Sequence, residues 1–111
     1  MTELVHYTLA DGVATLTLAN GKVNAISPTL LIDFNTCLDR AEQDAAVVVI
    51  TASGTVLSGG FDLTVMKAGG TAAVDLVADG FALSRRLLSH PYPVVVSTPG
   101  QAVALGAFLL L

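Results

Sequence analysis

The chain has 111 residues, 53% of them apolar, with five Lys and Arg against nine Asp and Glu. That suits one small domain with a real core. The few cations are scattered, which excludes a phosphate-tracking basic stripe, so no nucleic-acid partner is expected. A single cysteine, Cys37, excludes an intramolecular disulfide framework. It sits among helix-face positions, where packing is expected rather than reactivity. Together with a start that lacks a basic, apolar leader pattern, it suits a reducing, cytoplasmic setting.

In chain order, Val5-His6-Tyr7-Thr8-Leu9 alternates and predicts a strand. Asp11-Gly12 is a hairpin turn signal. Residues 13–18 return with period two, Val13, Thr15 and Thr17 on one face and Ala14, Leu16 and Leu18 on the other. Asn20-Gly21 turns the chain, and Lys22-Val23-Asn24-Ala25-Ile26 is short and irregular. Ser27-Pro28 is a helix start, with Ser as N-cap and Pro in the first turn. Leu30, Leu31, Phe34, Cys37, Leu38 and Ala41 follow at helical spacing as one apolar stripe, ending near Gln43-Asp44.

Residues 46–51 are apolar without alternation, which predicts a central strand covered on both faces. Ser58-Gly59-Gly60-Phe61-Asp62 then forms a glycine turn at the end of that strand, where open α/β folds place ligand sites. Gly69-Gly70 precedes a second helix with Thr71 as expected N-cap. Val74, Val77, Phe81 and Leu88 share one face of it, widened by Leu76, Leu83 and Leu87. Gly80 costs about 1 kcal/mol relative to Ala unless close packing uses it. Pro91-Tyr92-Pro93 ends the helix, residues 94–97 predict a second buried strand, and 102–111 the start of a third helix. Residues 94–111 carry no charge, but Pro99, Gly100 and Gln101 interrupt them, so strand, turn and helix are expected rather than a membrane span. The alternation of strands and helices makes this an α/β fold.

His6 and His90 are expected to be structural or solvent-exposed, and Asp33, Asp39, Glu42 and Asp44 to be mostly solvated charge. No metal-ligand spacing and no nucleophile elbow is visible.

Lys22-Val23-Asn24-Ala25-Ile26, the strand near 47–51, Ser58-Gly59-Gly60-Phe61-Asp62-Leu63, and Pro93-Val94-Val95-Val96 followed by Gly100-Gln101-Ala102-Val103-Ala104-Leu105-Gly106-Ala107 occur in one order and spacing. In these the chain resembles the N-terminal part of the enoyl-CoA hydratase/isomerase (crotonase) family. The resemblance covers essentially all 111 residues as the N-terminal part of one crotonase-like domain. It implies repeated β-β-α units with two roughly perpendicular sheets, trimers or hexamers, and acyl-CoA thioester substrates, with coenzyme A present only as part of the substrate. It implies an oxyanion hole made by the backbone N–H groups of Phe61 and Leu105. It also implies a CoA groove at Asn24, Ala25, Ser58, Gly59, Gly60 and Asp62, with Asp62 fixing the loop.

The sequence departs from the family at three places, one of them Pro99, which offers no N–H in a turn where the family commonly has a polar residue. Hydratases of the family use two glutamates. One falls at Phe108, which moves no protons, and the other lies beyond Leu111. The glycine-rich triplet is Ala104-Leu105-Gly106. Family chains are more than twice as long, and this chain ends inside an apolar run, so a truncated and by itself inactive chain is expected. The alternatives are a non-catalytic remnant, or an interaction module that associates with full-length subunits.

Overall fold

The computed structural model describes residues 4–21, 24–54, 56–97 and 101–102. Its elements run β1 (Val5–Ala10), β2 (Val13–Leu18), α1 (Pro28–Gln43), β3 (Val47–Ala52), β4 (Val56–Ser58), α2 (Leu63–Ala68), α3 (Gly70–Leu88), β5 (Val94–Val96) and β6 (Gln101–Ala102). Two β-β-α units are legible directly in that order. One sheet has the order β1-β2-β3-β5 and a second pairs β4 with β6.

The opening hairpin closes on Asp11 and Gly12, with φ of 52° and 78°. Positive φ at both central residues is what a two-residue hairpin turn demands. β2 then pairs in parallel with β3, and β3 with β5. The register puts Ala14, Leu16 and Leu18 beside Val48 and Ile50, all fully buried. Leu30, Leu31, Phe34, Cys37, Leu38 and Ala41 of α1 are buried with them in one core. Ser27 caps α1 by accepting from Leu30 N at 3.1 Å.

Several expectations need correction. β3 is not covered equally on both faces: Val48 and Ile50 are buried, while Val47 and Val49 on the other face are only half-buried. α1 packs on one side of the sheet, and burial follows it. In α3 the inward residues are Leu76, Gly80 and Leu83, with Leu87 packed at the margin. Val74, Phe81 and Leu88 are exposed. The helix is apolar on more than one face, so periodicity alone did not choose which face turns inward. Gly80 is buried on the inward stripe, the circumstance in which a helical glycine is tolerated. Thr71 does not cap α3. Gly69, at φ 68°, ends α2 and begins α3 without a side-chain cap.

Three elements, β4, α2 and β6, lie outside the expected order. β4 has three residues, too few to show a strand's periodicity. α2 was hidden between Asp62 and Gly69, although Asp62 is an ordinary N-cap signal. Ala102 lies in β6 and not at a helix start. The rest of the expected third helix, with Leu105 and Phe108, lies outside the described residues, as does Pro99.

The surface carboxylates are more engaged than expected. Asp33 accepts from Leu4 N at 2.8 Å, and Asp44 accepts from the Tyr7 hydroxyl at 2.6 Å. Arg86 of α3 donates to Asp39 at 2.5 Å, Glu42 at 3.3 Å and the Asn35 side chain at 3.0 Å, all on α1. His6 is exposed, and the His90 ring lies 3.3 Å from the Ala46 carbonyl at the start of β3. Cys37 is buried, 3.7 Å from the Val5 carbonyl to which its thiol donates.

Candidate functional site

The glycine turn is built from two segments far apart in sequence. Ile26 N donates to Gly60 O at 2.8 Å, and Asp62 N donates to Ile26 O at 2.9 Å. This is a single parallel bridge between Ile26 and Phe61. In that pattern one residue bonds the two neighbours of its partner. The N–H and C=O of Phe61 therefore face the edge away from Ile26. Among the described residues none accepts from the Phe61 N–H.

Gly60 has φ 93°, a conformation that L side chains rarely adopt. This backbone turn redirects the chain between β4 and α2. Asp62 accepts from Thr64 N at 2.8 Å and Val65 N at 3.3 Å, so it caps α2 and anchors the loop at its exit. Ala25, Gly59, Gly60, Phe61, Asp62 and Leu63 line a cavity of about 290 Å³. The carboxylate of Asp62 is the one titratable group among those six, and it is occupied as a cap.

Asn24 and Ser58 do not share that cavity wall. Both are fully buried behind it. Asn24 has φ 46°, in the left-handed region that Asn tolerates better than most residues. Its side chain accepts from Asn20 N at 2.7 Å and donates to Val56 O at 2.8 Å. The Ser58 hydroxyl donates to Asn24 O at 2.9 Å and accepts from Gly60 N at 3.1 Å. Of the residues assigned from sequence, Ala25, Gly59, Gly60, Phe61 and Asp62 come together at the cavity. Asn24 and Ser58 support it from beneath. Leu105 and Phe108 lie outside the described residues.

Sequence reasoning missed Asn20. It read as a turn residue, yet its side-chain amide donates to the Ala25 carbonyl at 2.8 Å and its backbone N–H engages Asn24. A carbonyl has two lone pairs, so Ala25 keeps one for another donor. Among the described residues no cluster of His, Cys, Asp or Glu is placed to hold a metal ion. No described helix is long and apolar enough to cross a membrane.

Known proteins share both the sequence and the fold of this chain. The family described as Enoyl-CoA hydratase/isomerase matches residues 8–111. The chain is similar to a crystal structure of an enoyl-CoA hydratase/isomerase family protein from Pseudomonas syringae, with 60% identity and a TM-score of 0.94 over 96% of this chain and 46% of that one. It is similar to an enoyl-CoA isomerase from Mycobacterium tuberculosis, with 43% identity and a TM-score of 0.93 over 99% of this chain and 48% of that one. A Bacillus subtilis (strain 168) protein named Probable enoyl-CoA hydratase is 34% identical over 89% of this chain and 40% of its own length. The chain thus spans less than half the length of these relatives. With the family matched over nearly all of its residues and the crotonase fold shared at high structural similarity, the chain belongs to the enoyl-CoA hydratase/isomerase family.

Proposed function

We propose that the chain is the N-terminal part of a crotonase-like domain and carries the oxyanion-stabilising half of a site for acyl-CoA thioesters. The observation that carries this is the Ile26–Phe61 bridge, which leaves the Phe61 N–H without an acceptor among the described residues, beside a cavity of about 290 Å³. Removing a proton next to a thioester carbonyl, or adding hydroxide to the β-carbon of a 2-enoyl thioester, places negative charge on the carbonyl oxygen. Preorganised N–H donors stabilise that charge, and losing one typically costs about 3–4 kcal/mol. Phe61 is the first donor. Leu105, by its position in the sequence, is the second. The Ala25 carbonyl and the glycine loop contact the coenzyme portion.

Two reactions fit: hydration of a 2-enoyl-CoA, or migration of its double bond. Phe108 in place of one glutamate favours double-bond migration, because a single carboxylate elsewhere in a longer parent suffices to shuttle one proton. Fatty-acid metabolism and a trimeric or hexameric parent follow as parts of the same proposal. Isothermal titration of the chain with crotonyl-CoA and with free coenzyme A tests it. Tighter binding of the thioester is expected, and equal affinity for the two would remove the donor role.

A second reading is favoured by one feature of the main sheet. The face opposite α1 presents half-buried Val13, Val47 and Val49 and an exposed Val95. An apolar sheet face of this kind suits a non-catalytic module that docks on crotonase-type subunits. Size-exclusion chromatography with and without a full-length subunit separates the readings. A chain that stays monomeric in both runs argues against docking.

A further inference from the structure

Four residues form one hydrogen-bonded relay beneath the glycine turn. Asn20 N binds the Asn24 side chain at 2.7 Å, Asn24 O receives the Ser58 hydroxyl at 2.9 Å, and the Ser58 oxygen receives Gly60 N at 3.1 Å. Asn24 and Ser58 are both fully buried, so neither side chain is free to meet a ligand. Their side chains bond backbone groups: Asn24 bonds Asn20 N and Val56 O, and Ser58 bonds Asn24 O and Gly60 N. A hydroxyl that donates to one carbonyl and accepts from one N–H fixes the separation of the two strands of chain it joins.

We propose that Ser58, itself held by Asn24, is a positioning residue that sets the direction of the Phe61 N–H. This rests on the reading of Phe61 as an oxyanion donor. The reasoning is geometric. Gly60 at φ 93° is in a region open to glycine and therefore not self-locking. Its N–H is held on one side by Ser58, and its C=O on the other by Ile26 N at 2.8 Å. With both ends of Gly60 held, the peptide plane that carries the Phe61 N–H has one orientation before any substrate arrives. Displacements of about 1 Å in such a group can cost on the order of a hundredfold in rate, so a buried hydroxyl is a means of control and not filler.

The test uses the whole 111-residue chain, labelled with ¹⁵N, as the unsubstituted protein, Ser58→Ala and Ser58→Cys. Cysteine fills the serine volume but is a weak donor and acceptor. It separates loss of the hydroxyl from loss of packing, and carries the test if the alanine variant fails to fold. In the free chain, both variants are expected to speed amide exchange at Gly60 by about tenfold or more and to move the Phe61 amide resonance, with Leu16 and Ile50 unchanged. A Cys variant that exchanges like the unsubstituted chain overturns the positioning role. Acetoacetyl-CoA, which carries an acidic α-carbon, is then added. It is expected to move the Phe61 amide in the unsubstituted chain and to do so less in both variants. No movement in the unsubstituted chain defeats the donor reading and the proposal with it. Equal movement in all three leaves the donor reading standing and overturns the positioning role alone.

Discussion

At the scale of single residues, the backbone of the glycine turn is demanding at Gly60. Gly60→Ala would place a Cβ at φ 93°. Strain of that kind costs about 1–3 kcal/mol. The expected outcome is a lower melting temperature together with weaker thioester binding. A variant that melts and binds like the original would show that the turn is more permissive than its geometry. Tyr7 provides a second residue-scale test. Burial, then its hydrogen bond to Asp44 and the charge of Asp44, push its pKa up from 10.0 to about 12, against the opposing pull of Arg40 stacked 4.2 Å from its ring. The folded chain holds that proton more tightly than the unfolded one. The stabilisation is therefore complete below pH 10.0 and is lost as the pH rises toward about 12. Alkaline spectrophotometric titration should show one tyrosine ionising late, and Tyr7→Phe should remove that late step.

At the scale of elements, apolar packing and ion pairing make very different contributions. Phe34, fully buried on α1, joins the helix to the sheet. Phe34→Ala should cost about 3–5 kcal/mol, read from denaturant unfolding. Arg86 ties α3 to α1, but its partners Asp39 and Glu42 are 64% and 44% exposed in their side chains. Partial burial works to lower the pKa of Arg86, and its hydrogen bonds to Asp39 and Glu42 outweigh that and raise it, so the guanidinium stays charged. Pairs this open to solvent are worth about 1 kcal/mol or less. Arg86→Ala should therefore destabilise far less than Phe34→Ala, and the difference from the parent should shrink in high salt. A large, salt-independent loss would mean that the aliphatic part of Arg86 packs between the helices and carries the effect.

At the scale of the whole molecule, the described residues that line the loop cavity include no free acid or base. Asp62, the ionisable residue lining the loop cavity, is spent on capping α2. We expect the purified chain not to hydrate crotonyl-CoA above the uncatalysed background. Measurable turnover in a stopped assay would show that a proton-moving group is supplied from elsewhere in the chain.

The opening hairpin and its turn, the inward stripe of α1 and the glycine turn were all determined by the sequence itself. Each depends on local chemistry: positive φ at Asp11-Gly12, a Ser-Pro helix start, apolar residues at helical spacing, and adjacent glycines. The family was legible too, because four motifs kept their order and spacing. Only the tertiary structure decided which face of α3 turns inward, since that helix offers apolar residues on more than one side. It alone placed Asn24 and Ser58 behind the loop instead of in its cavity. The bond between them joins residues 34 positions apart. No local periodicity encodes such a contact, because it exists only once β4 and the segment leading to Ile26 have packed side by side.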